Sequence, residues 1–235
     1  MAGPGTPGHL LGTDAQGRDI LSRLLYGGQV SMLIAFTPLL VAGTIGWLLG
    51  VLAGALPDKF DALIMRVMEV VLAFPGLLLA IAIVTVLGRG MMNAVLALAI
   101  VAVPSFARIT RAAVLSVRGL DYVDAARAIG ATGSRVIFRH IVPNSLGPVV
   151  VFTTMEAGRM IIFAAGLAFL GLGVTPPTPE WGSMLSEGRS VLPIAPHVAT
   201  IPGLVIFTVS LGLNLLGDSL QDALDPRSAM QIRGH

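Results

Sequence analysis

The stretch of sequence that decides the fold is LLYGGQVSMLIAFTPLLVAGTIGWLLGVLAGALP, residues 24–57, which contains no charged residue. A helix needs roughly 20 apolar residues to cross the hydrocarbon core of a bilayer. Because backbone groups inside lipid must pair within their own segment, the stretch predicts a transmembrane helix rather than a strand. The chain has 235 residues, of which 54% are hydrophobic and 12% charged. That balance excludes a disordered chain and disfavours a water-soluble globule.

Four more apolar stretches follow along the chain. They cover residues 70–88, 91–107, 145–173 and 198–217. The stretch that ends at 107 is short for a crossing, and its helix can continue past Arg108. The sequence therefore predicts an all-α integral membrane protein with five transmembrane helices.

The distribution of basic residues predicts how these helices are oriented, because Lys and Arg are enriched in cytoplasmic segments. Ten fall on one side (Lys59, Arg66, Arg108, Arg111, Arg118, Arg127, Arg135, Arg139, Arg227 and Arg233) and four on the other (Arg18, Arg23, Arg89 and Arg189). The bias places the N-terminus outside and the C-terminus inside. It divides the chain into an extracytoplasmic amphipathic segment, residues 1–28, and a transmembrane domain, residues 29–235, whose cytoplasmic loop covers about 108–143.

Small residues recur every four positions in the first span, at Ala42, Gly46, Gly50 and Gly54. Such a stripe lets another helix approach closely. The approaching helix can belong to a second subunit or to the same chain, and the pattern leaves both alternatives open.

The loop after the third span contains a short helix. It reads RGLDYVDAARAIGATGSRVIFRHIVPN, residues 118–144. Asp121 is placed to cap a helix and Gly130 to end it, so the sequence predicts a helix over about 121–129.

The apolar residues Tyr122, Ala126 and Ile129 recur at i, i+4 and i+7 and predict one face of this loop helix. A second helical stretch is predicted from about 133 to 140, stopping before Pro143. Two uses stay open for the first helix. It can dock to a cytoplasmic partner, or it can lie on the bilayer with its arginines at anionic head groups.

Two ionisable residues, Glu156 and Arg159, interrupt the fourth span three positions apart. A charge inside a span is costly and usually faces a cavity or a partner. The pair can line or gate a pathway, lock its helix to a neighbour, or lie near the cytoplasmic boundary if the span starts later.

Four segments, in order, resemble the permease subunits of dipeptide, oligopeptide and nickel ABC importers. They are LGTDAQGRDILSRLLYGG (11–28), the loop from Arg118, GLAFLGLGVTPPTPEWGSML (166–185) and LNLLGDSLQDALDPR (213–227). The loop is similar to the EAA signature of binding-protein-dependent permeases, with Asp124-Ala125-Ala126 followed by Gly130 and closed by Pro143. Asp replaces the usual Glu. Together the four motifs span nearly the whole chain.

The resemblance implies the type I ABC importer permease fold and a multi-pass subunit of the bacterial inner membrane that forms half of a translocation pathway. The cargo it implies is a small peptide, with nickel or another small solute as the alternative. Its coupling helix would dock into a groove on an ATPase through Tyr122, Asp124, Ala125, Ala126, Arg127, Gly130 and Pro143. The implied partners are a homologous second permease, two cytoplasmic ABC ATPase subunits, an extracytoplasmic substrate-binding protein and membrane lipid. The outer loop with Trp181 would meet the binding protein, or Trp181 would anchor at the membrane interface.

The chain departs from the family pattern in two places. Family members usually have a further span before the segment that starts at residue 11, so the stripe of small residues is expected to be exposed here. An alternative function follows, that of a truncated or non-transporting subunit with a structural role. The family also commonly has an acid shortly before FLGLG, where this chain has Ala164.

Several function classes are excluded or disfavoured by missing motifs. The sequence contains no G-x-x-x-x-G-K-[ST], so ATP hydrolysis is expected in a partner and the chain is not predicted to be an enzyme. Its four histidines are far apart and it has no cysteine, so neither a metal site nor a cofactor is expected. A net charge of +2 gives no reason to expect nucleic acid as a partner. An intramembrane enzyme would have to use Glu156 and Arg159, the ionisable residues inside the spans.

Overall fold

The computed structural model describes residues 1–224, in which ten α-helices follow a turn-rich N-terminal segment. In chain order they are α1 (Ile20–Ala55), α2 (Asp58–Leu72), α3 (Gly76–Leu87), α4 (Met91–Arg118), α5 (Asp121–Ala128), α6 (Gly133–Val136), α7 (Val142–Asn144), α8 (Leu146–Phe169), α9 (Trp181–Arg189) and α10 (His197–Leu224). A π-helical turn, Ile137–Ile141, connects α6 to α7. Four of the predicted spans correspond to α1, α4, α8 and α10, each long and apolar enough to cross a membrane.

The second predicted span is bent rather than straight. Residues 70–72 end α2, most of which precedes the predicted span, and the rest of the span is α3; α2 and α3 meet at 86°. α3 alone has 12 residues and is roughly 18 Å long, which is too short for about 30 Å of hydrocarbon. Residues 1–224 therefore contain four straight spans, and five if the bent pair counts as one. A single helix over 70–88 is the wrong expectation, because Pro75 lacks an N–H and disfavours helical geometry at Phe74.

The small-residue stripe of α1 packs against α4 of the same chain. A Cβ atom at Gly46 would lie 2.5 Å from the Cβ of Phe106, and one at Gly50 would lie 2.5 Å from the carbonyl oxygen of Ala107. The two backbones approach this closely only because glycine stands at these positions. The stripe residues Ala42, Gly46, Gly50 and Gly54 are all buried. The expectation that they are exposed is wrong, because α4 covers them.

A second close pair is formed by α8 and α10. The Ser210 hydroxyl donates a hydrogen bond of 2.8 Å to the Gly158 carbonyl, and a Cβ atom at Gly158 would lie 2.8 Å from the Ser210 carbonyl oxygen. The two helix pairs meet where the Phe106 ring of α4 contacts the Phe152 ring of α8 edge to face, with centroids 5.0 Å apart. The core of the bundle therefore lies between α1, α4 and α8.

The helix directions divide the loops between two ends of the bundle. The N-terminal segment and the α8–α10 connection share one end, where Arg18 contacts Glu187. The segment from α5 to α7 lies at the other end, where α1 and α4 finish. We call these the outer end and the cytoplasmic end, after the predicted orientation. Of the basic residues predicted inside the cell, Arg118, Arg127, Arg135 and Arg139 lie at the cytoplasmic end, at the end of α4 or in the segment from α5 to α7, while Arg227 and Arg233 lie outside the described residues.

Candidate functional site

The predicted loop helix is present as α5, two residues after the end of α4. Its N-cap is Leu120, which makes no side-chain capping bond. The capping role predicted for Asp121 is therefore wrong, since Asp121 is already the first helical residue. Asp121 and Asp124 both lie in the first turn, where a negative charge interacts favourably with the helix dipole.

Gly130 ends this helix, as the sequence predicts. Its φ of +87° lies in the left-handed region, which glycine adopts without steric cost. Its N–H donates to the Arg127 carbonyl at 2.9 Å, and the Ala131 N–H donates to the Ala126 carbonyl at 3.1 Å. These bonds satisfy the last carbonyls of α5 and turn the chain towards α6.

The three apolar residues predicted to share one face of α5 differ in their burial. Val123 and Ala126 are buried, whereas Tyr122 is 42% exposed and Ile129 is 87% exposed. The inward direction is set by a cluster of buried side chains on neighbouring helices: Val114, Val117, Val136 and Ile141. Tyr122 and Ile129 stay exposed and so remain available to either predicted use, whereas Ala126 is covered within the chain.

The residues expected to contact an ATPase divide accordingly. Asp124 and Arg127 pair with each other at 2.9 Å on the exposed side, and Ala125 lies exposed between them. Ala126 is 7% exposed and packs mostly inside the chain, so it offers a partner little surface. The exposed side of α5 presents Tyr122 and Ile129 beside this ion pair.

The second part of the loop continues through Pro143 instead of stopping before it. A prolyl ring clashes with the carbonyl four residues earlier in an α-helix, and the π-helical turn before Pro143 widens the backbone at that place. The His140 carbonyl accepts two hydrogen bonds, one of 2.6 Å from the Asn144 side-chain amide and one of 3.5 Å from the Tyr122 hydroxyl. Pro143 therefore shapes the connection from the loop to α8.

The intramembrane pair lies within one turn of α8. Glu156 is 4% exposed, and the Nε atom of Arg159 donates to its Oε1 atom at 2.9 Å. The Arg159 guanidinium also lies over the Phe163 ring, 5.5 Å from its centroid. No other helix contributes a charge to the pair within residues 1–224, so the ion pair itself does not connect α8 to a neighbour. Ala164, on the same helix, is buried.

The outer end contains an ion network that the sequence did not predict. Asp14 accepts hydrogen bonds from Arg18 at 2.7 Å and from Arg23 at 2.6 Å, and both arginines also reach Glu187 of α9 at 2.7 Å. Burial by itself would raise the pKa of Asp14, but hydrogen bonds from Arg18 and Gln16 outweigh it and hold the pKa below its ordinary value. The signal available in the sequence was the alternation of acids and arginines in the motif of residues 11–28.

A buried carboxylate joins the same end to α1. Glu180 is 1% exposed, accepts the backbone N–H groups of Gly182 and Ser183, and accepts the Ser31 hydroxyl at 3.0 Å. Burial raises the pKa of Glu180 despite these bonds. Trp181 is buried and its indole N–H donates to the Leu24 carbonyl at 2.9 Å, so the expectation of a membrane-interface anchor is wrong.

Comparison with known proteins identifies the family. Residues 46–230 match the family described as binding-protein-dependent transport system inner membrane component. The glutathione transport system permease protein GsiD of Pectobacterium atrosepticum is 51% identical over 219 residues, which cover 93% of this chain and 73% of that protein. The di/tripeptide transport system permease protein DppC of Pseudomonas aeruginosa is 49% identical over 218 residues, covering 93% of this chain and 72% of that protein.

The fold has a solved counterpart. A chain of the MetNI methionine ABC transporter in an inward-facing conformation superposes with a TM-score of 0.73 at 18% identity, covering 88% of this chain and 98% of that one. The architecture is therefore the type I importer permease fold, and a binding protein and an ATPase are the partners that the family implies. This chain belongs to the binding-protein-dependent transport system inner membrane components, and it is a multi-pass permease subunit of the bacterial inner membrane.

Proposed function

We propose that this chain imports small peptides as one of two permease subunits, each forming half of the translocation pathway. The observation that carries the proposal is the similarity over 93% of the chain to permeases named for glutathione and for di- and tripeptides. The two names agree in chemical class, because glutathione is itself a tripeptide. Transport is then driven by ATP hydrolysis in partner subunits, since the sequence has no P-loop.

In this proposal α5 is the coupling helix that contacts a cytoplasmic ATPase. Support comes from its exposed side. The small side chain of Ala125 lets a partner approach closely there, with the Asp124–Arg127 ion pair and the aromatic ring of Tyr122 beside it. A docking contact needs this mixture of an apolar centre and a polar rim. The homologous second permease would supply the other α5, so that each of two ATPase subunits meets one coupling helix.

The packing of α5 explains how its movement would reach the pathway. Val123 inserts into the cluster made with Val114 and Val117 of α4, and Val136 and Ile141 close the cluster from the other side. Since packed side chains transmit displacement, α5, the end of α4 and the π-helical turn should move as one body. That body continues into α8 through Pro143.

An ion pair extends this body to the bent span. Arg111 of α4 donates from Nε and Nη2 to the two carboxylate oxygens of Asp61 on α2, each at 2.5 Å. A bidentate pair fixes orientation as well as distance. Displacement of α4 should therefore carry α2 with it and change the angle between α2 and α3. The bent span is the element we expect to open and close the cytoplasmic side of the pathway.

The test is transport by the complete complex in liposomes. The chain is reconstituted with its second permease and ATPase subunits, and the binding protein is added outside. ATP-dependent uptake of radiolabelled glutathione and of a dipeptide is measured beside uptake of Ni²⁺. We expect peptide uptake that stops without ATP. Uptake of Ni²⁺ alone would overturn the cargo assignment, and uptake of none of the three by a complex that hydrolyses ATP would overturn the importer function.

A further inference from the structure

A groove of about 390 Å³ lies beside the C-terminal end of α5, between that helix and the π-helical turn. Small residues, Ala126, Gly130 and Ala131, line part of it, and the long side chains of Arg135 and Arg139 line the rest. The small residues leave room for a side chain from outside. The two arginines lie one helical turn apart, so both guanidinium groups can reach one occupant.

Both arginines are exposed. Neither Arg135 nor Arg139 has a carboxylate within ion-pair distance among residues 1–224. Arg127, on the same loop, pairs with Asp124. The loop therefore neutralises Arg127 within residues 1–224 but not Arg135 and Arg139, so these two arginines give the groove a net positive charge.

We propose that this groove receives an acidic side chain of the ATPase subunit, whose carboxylate pairs with Arg135 and Arg139. The inference rests on the proposed function, because it takes α5 to be the helix that meets the ATPase. A carboxylate is the group that guanidinium side chains bind with the best geometry, through two parallel N–H donors. Ile129, 87% exposed, and Phe138, 73% exposed, supply apolar contact area on the same loop.

The length of α4 favours a protein over the membrane surface as the occupant. α4 begins directly after the outer turn and has 28 residues, roughly 42 Å at 1.5 Å per residue. The hydrocarbon core takes up about 30 Å of this length, so the last turns extend about 10 Å towards the cytoplasm. α5 and the groove therefore lie beyond the acyl chains, where lipid cannot cover Phe138.

The experiment measures how firmly the ATPase is held on membranes that contain the permease pair. Inside-out vesicles carrying the wild-type complex, Arg135→Glu, Arg139→Glu or the double variant are washed at low and at high salt, and the retained ATPase is quantified. Arg66→Glu is the matched control, because Arg66 is a highly exposed arginine in the same half of the bundle, outside the groove. The double variant should bind the ATPase on the order of tenfold more weakly at low salt, since each reversal replaces an attraction by a repulsion.

The difference from wild type should shrink at high salt, because salt screens exposed charges. A Lys substitution at one ATPase carboxylate should restore retention to the double variant, and that residue would be the occupant. Retention of the double variant at the wild-type level would overturn the inference. So would a loss that follows the content of anionic lipid, since that would place the arginines on the membrane.

A parallel arm separates this inference from the proposed function. Ala125→Trp blocks the exposed side of α5 without touching the groove arginines. If Ala125→Trp releases the ATPase while the double variant holds it, α5 docks but the groove is not used. If wild-type vesicles retain no ATPase at all, the proposed coupling function itself is wrong.

Discussion

The outer end and the cytoplasmic groove of this permease differ in whether their charged side chains are paired within the chain. At the outer end Asp14, Arg18, Arg23 and Glu187 pair with one another inside the chain. At the cytoplasmic end Arg135 and Arg139 line the groove, on a loop that also exposes large apolar side chains. The difference indicates which surface already has its charges paired within the chain and which surface is available to a partner. Charges that are paired internally hold the N-terminal segment to α9, whereas unpaired charges beside apolar residues are typical of a surface that meets a partner.

The largest expected effect comes from breaking the outer network. Arg23→Ala removes the more buried of the two arginines and leaves Asp14 and Glu187 paired with Arg18 alone. Breaking a buried ion pair costs about 3–5 kcal/mol when the other charge is left unpaired. Because Arg18 still pairs with Asp14, we expect a loss at or below the low end of that range, and the thermal midpoint of the purified permease should fall by a few degrees. Arg89→Ala, which removes an exposed outer cation, should leave it unchanged. Equal midpoints for the two variants would show that the network does not hold the outer end together.

The next effect tests the cytoplasmic end through transport rather than stability. Ala125→Trp adds bulk on the exposed side of α5, so peptide uptake should fall roughly tenfold or more, as loss of a central interface contact does. Its thermal midpoint should match wild type, because Ala125 is exposed. Ala223→Trp, at an exposed alanine near the end of α10 and outside the elements proposed to move, is the control and should transport normally. Uptake by Ala125→Trp at the control level would contradict the docking face assigned to α5.

Two carboxylates of the outer end should respond to pH in opposite directions. The pKa of Asp14 is lowered in the fold, so its stabilising contribution is present above its ordinary pKa and is lost as pH falls through the folded value. Burial raises the pKa of Glu180, so its contribution is present below the ordinary pKa and is lost as pH rises through the folded value.

The measurement is the thermal midpoint as a function of pH. Asp14→Asn should flatten the acid side of the profile, and Glu180→Gln should flatten the part above the ordinary carboxyl pKa. Flattening on the same side by both variants would mean that the environments of the two groups have been assigned wrongly.

The smallest expected effect is at the turn that ends α5. Gly130→Ala places a side chain at φ +87°, which costs about 1 kcal/mol, and nothing within 4 Å would clash with it. We expect a modest fall in ATPase stimulation by the binding protein, because the angle between α5 and the groove changes. Gly133→Ala, at a neighbouring glycine without a positive φ, should have no effect. A loss of function as large as that of Ala125→Trp would mean that Gly130 itself touches the partner.

The sequence predicted the spans from hydropathy, and four of the helices begin within a few residues of the predicted starts, although α4 and α10 continue well past the predicted ends. It did not predict the 86° bend at Pro75, because an apolar run is equally hydrophobic whether it is straight or broken. It predicted the end of α5 at Gly130, since a left-handed glycine is a local requirement. It placed Ala126 on the same face as Tyr122 and Ile129, but Ala126 is buried, because the covered face depends on valines of other helices.

By itself the sequence determined what lies in the membrane, which family motifs the chain carries and where the short loop helix stops. These properties depend on residues close together in the chain: runs of apolar side chains, glycines and prolines. Only the tertiary structure decided that Gly46 and Gly50 face α4 of the same chain, that Ala126 is covered and Ala125 is not, and that Arg23 meets Glu187. These properties depend on residues far apart in sequence, and their pairing is set by how closely the helices pack.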